Sequence, residues 1–224
     1  MMARRGTHLV FDMDGLLLDT ERFYTVAQQK ILDKFGMKFD LALKEKMMGR
    51  TTADSARVFI EETGLAGRYS AEEFIKERAE ILQSLFPQAA LLPGVRKLLD
   101  HIVARRIPAC IATSSNKRHF ELKTEQHMGL FGAAFSHFVT GGDVEKGKPD
   151  PEIFQLAVSQ FADPPAPEAV LVFEDAVLGV QAAVAGGFNC VHIPAEGMSD
   201  NTAANVTLRS MEAFDPAEWG LPPY

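Results

Sequence analysis

The sequence predicts an α/β protein: a doubly wound parallel sheet with a helical segment inserted after its first strand. Five short apolar runs lie along the chain, HLVFD (8–12), PACIAT (108–113), SHFVTG (136–141), AVLVFE (169–174) and NCVHI (189–193). Nearly continuous runs of this kind suit strands covered on both faces. From the second run onward, helical segments separate them, the pattern of parallel strands joined by crossover helices. Residues 20 to about 88 break that rhythm and read as helices alone.

Taken in order, HLVFD is the first strand. ERFYTVAQQKILDKFG follows, with Phe23, Ala27, Ile31 and Phe35 on one helical face and Gly36 as a stop. Thr51-Thr52-Ala53-Asp54 and Ser70-Ala71-Glu72-Glu73 both resemble capping boxes that open helices. FPQAALLPG (86–94) is a turn-rich return to the sheet. KRHFELKTEQHMGLF, PEIFQLAVSQF and a segment containing VLGVQAAVAGG are the helices after the second, third and fourth strands, and ADPPAP (162–167) is a loop. The expected division is a catalytic core, residues 1–19 and 89–224, with residues 20–88 as a helical cap.

The balance of 46% hydrophobic and 24% charged residues is that of an ordinary globular protein. A net charge of −7 argues against a general nucleic-acid or anionic-membrane binder, which needs a basic surface. No apolar stretch is long enough to span a bilayer, and MMARRGTHLVFDMD lacks the apolar segment of a signal peptide. Cys110 and Cys190 lie inside predicted strands and read as buried thiols. A cytoplasmic monomer is expected.

FDMDGLLLDT (11–20) places Asp12 and Asp14 one residue apart at the end of the first strand. Like charges that close repel, and desolvating either is unfavourable, so something must compensate them. Side chains alternate along a strand, so the two would project alike if the extended backbone continues. The second strand ends in Thr113-Ser114-Ser115, the third leads into GGDVEKGKPDP with Lys146 and Lys148, and the fourth ends in Glu174-Asp175. Each alone reads as a turn, a cap or a solvated side chain. Together they bring acids, hydroxyls and a lysine to the carboxyl ends of the strands, where ligands of such sheets gather.

That set suits phosphoryl transfer through a covalent aspartyl phosphate. Asp12 would attack phosphorus. Mg2+ would be held by Asp12, the backbone carbonyl of Asp14 and Asp175, and would offset the crowded charge. Lys148 would offset charge on Asp12 and the phosphate. Thr113 and Ser114, with nearby backbone N–H groups, would hold phosphate oxygens. Asp14 would protonate the leaving alkoxide and then deprotonate water.

FDMDGLLLDT, ATSS, GKPDPEIF and VFEDAVLGVQAA, in that order, resemble the four motifs of the haloacid dehalogenase-like hydrolase superfamily, over nearly the whole chain. The resemblance implies a Rossmann-like core with a helical cap. It assigns Asp12 as nucleophile, Asp14 as acid/base, Thr113 as phosphate ligand, Lys148 as the stabilising lysine and Asp175 as magnesium ligand. Glu174 stands behind the metal or reaches it through water. Lys146 is the weaker lysine candidate, because the family lysine usually precedes proline. FDMDGLLLDTERFY, KMMGR, LFPQAALLPG, LVFEDA and EWGLPPY further resemble a eukaryotic subgroup of pseudouridine-5'-phosphatases and plant-type glycerol-3-phosphatases. The implied substrate is a small phosphorylated metabolite, and selectivity would come from the cap, with Arg50 in KMMGR a candidate contact.

A phosphosugar mutase similar to β-phosphoglucomutase would use the same motifs. Tyr24 stands where those enzymes carry histidine and Thr52 where they carry arginine, which favours hydrolysis. A true dehalogenase lacks the second acid. A non-catalytic binding protein on this fold would have lost at least one of the charged residues.

Overall fold

A computed structural model describes residues 6–195 and 203–224. Residues 1–5, part of the stretch that lacks a signal-peptide pattern, lie outside the described residues. The strands are β1 (His8–Phe11), β2 (Ala109–Thr113), β3 (Phe138–Thr140), β4 (Val170–Glu174), β5 (Asn189–His192) and β6 (Val206–Thr207). Among the described residues they form one parallel sheet in the order β3-β2-β1-β4-β5-β6. The first strand is therefore central, and the chain winds outward from it in both directions. This is the α/β, Rossmann-like architecture expected from the sequence.

Burial on both faces explains the unbroken apolar runs. Leu9 and Phe11 face one side, against Leu98, Leu99 and Ile102 of α5 (Val95–Arg105) and against Phe131 of α7 (Met128–Ala134). Val10 faces the other side, against Ile153 and Phe154 of α8 (Glu152–Ser159) and Val180 of α9 (Val177–Ala185). Phe11 stacks on Phe173 across the register, with ring centroids 4.5 Å apart. The chain terminus closes the first face: Trp219 is fully buried, and its carbonyl accepts the Gly6 N–H at 2.8 Å.

The insert consists of α1 (Glu21–Asp33), α2 (Leu41–Met47), α3 (Thr52–Thr63) and α4 (Ala71–Gln83). Ile31, Leu43, Phe59 and Phe74 form part of a core of its own, whereas Phe23, Ala27 and Leu82 pack with the sheet. Ser70 and Glu73 make a complete capping box. Thr51 accepts the Asp54 N–H, but Asp54 bonds the Thr51 hydroxyl rather than its backbone N–H, so that box is half formed.

Three elements differ from expectation. Helix α5 follows the turn-rich return, and its apolar positions 95, 98, 99 and 102 have ordinary helical spacing. The segment after β2 is two helices, α6 (Lys117–Thr124) and α7, rather than one. β6 is only two residues long, too short for a periodic pattern to show.

Candidate active site

β1, β2 and β4 run parallel, so Asp12, Thr113 and Glu174-Asp175 emerge at one edge of the sheet. The Phe11↔Phe173 register sets Asp12 beside Glu174, and the Asp12 N–H is bonded to the Phe173 carbonyl at 3.0 Å. Lys148 arrives from the loop after β3 and is buried. Its Nζ donates to Asp12 Oδ1 at 2.6 Å, Glu174 Oε1 at 2.5 Å and the Ala112 carbonyl at 3.4 Å. Burial works against its charge, but Asp12 and Glu174 outweigh that and raise its pKa. Lys146 is 71% exposed in its side chain and, among the described residues, its ion pair is with Asp150, at 3.5 Å.

Asp12 and Asp14 line the same pocket, yet their carboxylates turn to different lysines. The strand ends at Phe11, so alternation stops there. Gly15, at φ +77°, turns the chain and lets Asp175 approach; a Cβ on it would lie 2.3 Å from Asp175 Oδ2. Asp14 Oδ1 accepts from Lys123 Nζ at 2.5 Å and from the Thr20 hydroxyl at 2.7 Å. Its Oδ2 accepts from Ser115 at 2.8 Å and Thr113 at 3.2 Å. Burial alone would raise the Asp14 pKa, but Lys123, Thr20 and Ser115 outweigh it and hold the group below its ordinary value.

Lys123, on α6, was not among the residues read from the sequence. It is fully buried, bonded also to Ser115 Oγ at 2.7 Å and Tyr24 OH at 2.8 Å, and set over the Phe86 ring. A signal was available: it shares a helix face with Phe120 and Thr124, an apolar position where lysine needs a partner. Lys123→Met leaves Asp14 without its cation. Breaking such a pair costs roughly 3–5 kcal/mol, so a clear fall in Tm and in kcat is expected by calorimetry and steady-state kinetics.

Thr113 is fully buried, donates to Asp14 and accepts the Ser115 N–H at 3.1 Å. It stands behind the pocket wall, whereas Ser114 and Ser115 line it. Ser114 also donates to the Gly49 carbonyl at 3.3 Å, joining the sheet edge to the insert. Arg50 lines the pocket mouth, with its Nε held by the Lys46 carbonyl at 2.6 Å.

The remaining acids crowd together. Asp12, Glu174 and Asp175 are all buried, and each brings a carboxylate oxygen within 4.8 Å of the others. Burial, with Glu174 and Asp14 nearby, pushes Asp12 up to about 7 despite Lys148. Burial and repulsion from Glu174 and Asp12 hold Asp175 well above the carboxylate range. Asp175 Oδ2 is buried without a hydrogen-bond partner among the described residues. Glu174, by contrast, is fully engaged: Oε1 with Lys148, Oε2 with the Asp175 and Ala176 N–H groups at 3.1 Å. Gly179 makes room for it, since a Cβ there would lie 1.9 Å from Oε1. An all-oxygen donor set with an orphaned buried carboxylate oxygen fits a hard divalent cation.

A parallel sheet whose central strand ends in this acid cluster has the arrangement expected of a hydrolase of the resembled family. The chain matches the family described as haloacid dehalogenase-like hydrolase over residues 7–187. It belongs to that family and is a phosphoric monoester hydrolase. It is 48% identical over 229 residues to (DL)-glycerol-3-phosphatase 2 of Arabidopsis thaliana, covering 99% of this chain and 95% of that protein. It is 42% identical over 228 residues to the probable pseudouridine-5'-phosphatase of Drosophila melanogaster, covering 100% and 97%. In fold it is similar to β-phosphoglucomutase from Clostridium difficile, with a TM-score of 0.80 over 96% of this chain and 97% of that one, at 22% identity.

Proposed function

We propose that the protein is a magnesium-dependent phosphatase of small phosphorylated metabolites that works through a phosphoryl group on Asp12. The carrying observation is the state of the Asp12 carboxylate. Its Oδ1 is held by Lys148, while its Oδ2 has no hydrogen bond among the described residues and belongs to a side chain that lines the pocket. A fixed carboxylate with one free oxygen is the arrangement an attacking group needs.

In this reading Asp12 Oδ2 forms a bond to phosphorus while the bond from phosphorus to the ester oxygen breaks. The departing alkoxide takes a proton from Asp14. Water then attacks the same phosphorus, gives a proton to Asp14, and releases inorganic phosphate with Asp12 restored. Asp14 must bring a proton and leave Lys123 for the first half; as a carboxylate held by Lys123 it already has the charge required for the second. Ser114, Ser115 and nearby backbone N–H groups would bind phosphate oxygens, with Thr113 acting from behind through Asp14. Magnesium held by Asp12, Asp175 and the Asp14 carbonyl would neutralise charge on the phosphate, and Glu174 would fix Lys148 and the Asp175 backbone. The insert would act as the cap over this edge, with residues 20–88 and the rest of the chain as separate domains.

Pocket character supports a small polar substrate. The space is about 700 Å³ with its open mouth included. Most of the residues that line it are charged or polar, and Tyr24, Phe39, Met47 and Met48 add a sizeable apolar share. Such a wall suits a polyol phosphate, glycerol 3-phosphate first, better than a nucleotide base, although pseudouridine 5'-phosphate is the second candidate. Two buried free cysteines, Cys110 and Cys190, support a cytoplasmic location, and no helix of the described residues is long and apolar enough to cross a membrane. A phosphate-release screen across polyol, sugar and nucleoside monophosphates tests the substrate class. At least one should turn over much faster than a generic aryl phosphate. If only a phosphoprotein did so, the reading fails.

A further inference from the structure

Arg78 lies on α4 at a position the amphipathic pattern gives to the core: Phe74, Arg78 and Leu82 recur every four residues and are all buried. A guanidinium there needs partners, because an unpaired buried charge is strongly unfavourable. Arg78 is 4% exposed. Among the described residues its hydrogen bonding is limited to Nη1 donating to Ser55 Oγ at 3.3 Å, and it has no ion pair. Glu21 is an acid on the same wall, but it pairs with Lys44 at 3.6 Å. The guanidinium carbon sits 4.7 Å from the centre of the Phe74 ring and 5.7 Å from that of Tyr24, which fixes its direction.

Arg78, with donors left over beyond its bond to Ser55, lines the pocket. Arg78, Ser55 and Gln28 line the insert side of the space whose sheet side carries Asp12, Asp175 and Ser114. A substrate with its phosphorus at Asp12 therefore directs its remaining atoms toward this wall. Arginine offers several N–H groups in a fixed planar fork, matched to two neighbouring acceptor oxygens.

We propose that Arg78 is a specificity-determining residue that binds paired acceptor oxygens, the adjacent hydroxyls of a small polyol, on the part of the substrate remote from the scissile phosphate. Ser55 holds the fork from behind. The inference rests on the small-metabolite phosphatase reading and names the residue that makes the choice.

The test compares wild type, Arg78→Met and Arg78→Lys on two substrates: the fastest hydroxyl-bearing monophosphate from the screen, starting with glycerol 3-phosphate, and a generic aryl phosphate. Methionine fills a similar volume without a buried charge, so the variant should fold, with a Tm at or above that of wild type. Loss of charged hydrogen bonds should lower kcat/KM for the hydroxylated substrate on the order of 10–100-fold, with aryl phosphate hydrolysis changed by less than about threefold. Arg78→Lys should lie between, because it keeps the charge and loses the fork. An equal loss on both substrates, or no loss on either, overturns the proposal. The two readings fail separately. A wild type with no preference for any hydroxylated metabolite defeats the substrate reading. A wild-type preference that survives in Arg78→Met defeats the role of Arg78 alone.

Discussion

Asp12→Asn abolishes phosphate release while leaving the fold intact. The amide keeps the shape of the side chain but cannot attack phosphorus, and nucleophile removal in hydrolases lowers kcat on the order of 10⁴–10⁶-fold. Folding should not suffer. Asp12 is crowded by Glu174 and Asp14, and its carboxylate form is disfavoured by burial, with the pKa near 7. Neutralising it relieves repulsion in the acid cluster, and Lys148 keeps Glu174 as a partner at 2.5 Å. Unchanged or raised Tm together with lost turnover is the expected pair of results. Wild-type turnover in this variant would place the nucleophile elsewhere.

Removal of divalent cations has a comparable effect on activity. Excess chelator should stop hydrolysis of an aryl phosphate, and magnesium should restore it. A second readout is thermal stability. Magnesium at about 100 times its Kd adds roughly 2.7 kcal/mol to stability, and for a chain of this size that is a rise of roughly 5–10 °C in Tm. The pH dependence has a definite sign. Asp12 and Asp175 have raised pKa values in the metal-free protein. A group raised in this way contributes stability that is present at low pH and declines as pH rises through its folded value. Cation binding requires both carboxylates ionised and so displaces protons. The magnesium-induced rise in Tm should therefore be small below pH 6 and grow as pH passes through about 7, the folded value of Asp12. A rise independent of pH would remove these acids from the cation site.

The readable parts of the molecule were those with a short-range pattern. Leu9, Val10 and Phe11 are buried on alternating faces of one sheet, so a continuous apolar run announced the central strand. The acids stood out because charged residues at the ends of apolar runs are conspicuous, and Lys148 because it precedes Pro149 in a motif that resembles the family's. Helix α5 was hidden by the turn-rich segment before it, although Val95, Leu98, Leu99 and Ile102 carry a helical period. β6 has no period to read.

Lys123 and Arg78 were missed for a shared physical reason. Both are cations at positions where an amphipathic helix buries its apolar residues, beside Phe120 and Thr124 in one case and between Phe74 and Leu82 in the other. A scan for hydrophobic period treats such a residue as an interruption, whereas a scan for charge on an apolar face marks it. The partners lie far off in sequence, since Lys123 meets Asp14 across 109 positions. That distance also hid the answer to the first puzzle. Asp14 is offset by Lys123, whereas Asp12 shares Lys148 with Glu174, so the charge left uncompensated lies among Asp12, Glu174 and Asp175.

The central claim is that phosphorus is carried on Asp12. It is tested most directly in Asp14→Asn with an aryl phosphate, whose leaving group departs without a proton from residue 14, so that hydrolysis of the intermediate slows more than its formation because the water has lost its base. The protein is mixed with substrate, quenched during turnover, reduced with borohydride and digested. An acyl phosphate at Asp12 is converted to homoserine, and mass spectrometry of the peptide carrying FDMDG reads the change at that residue. The account predicts homoserine at position 12, dependent on substrate and absent from Asp12→Asn. Reduction or phosphorylation at a different residue, or an unmodified Asp12 at every quench time while Asp14→Asn turns over, would contradict it.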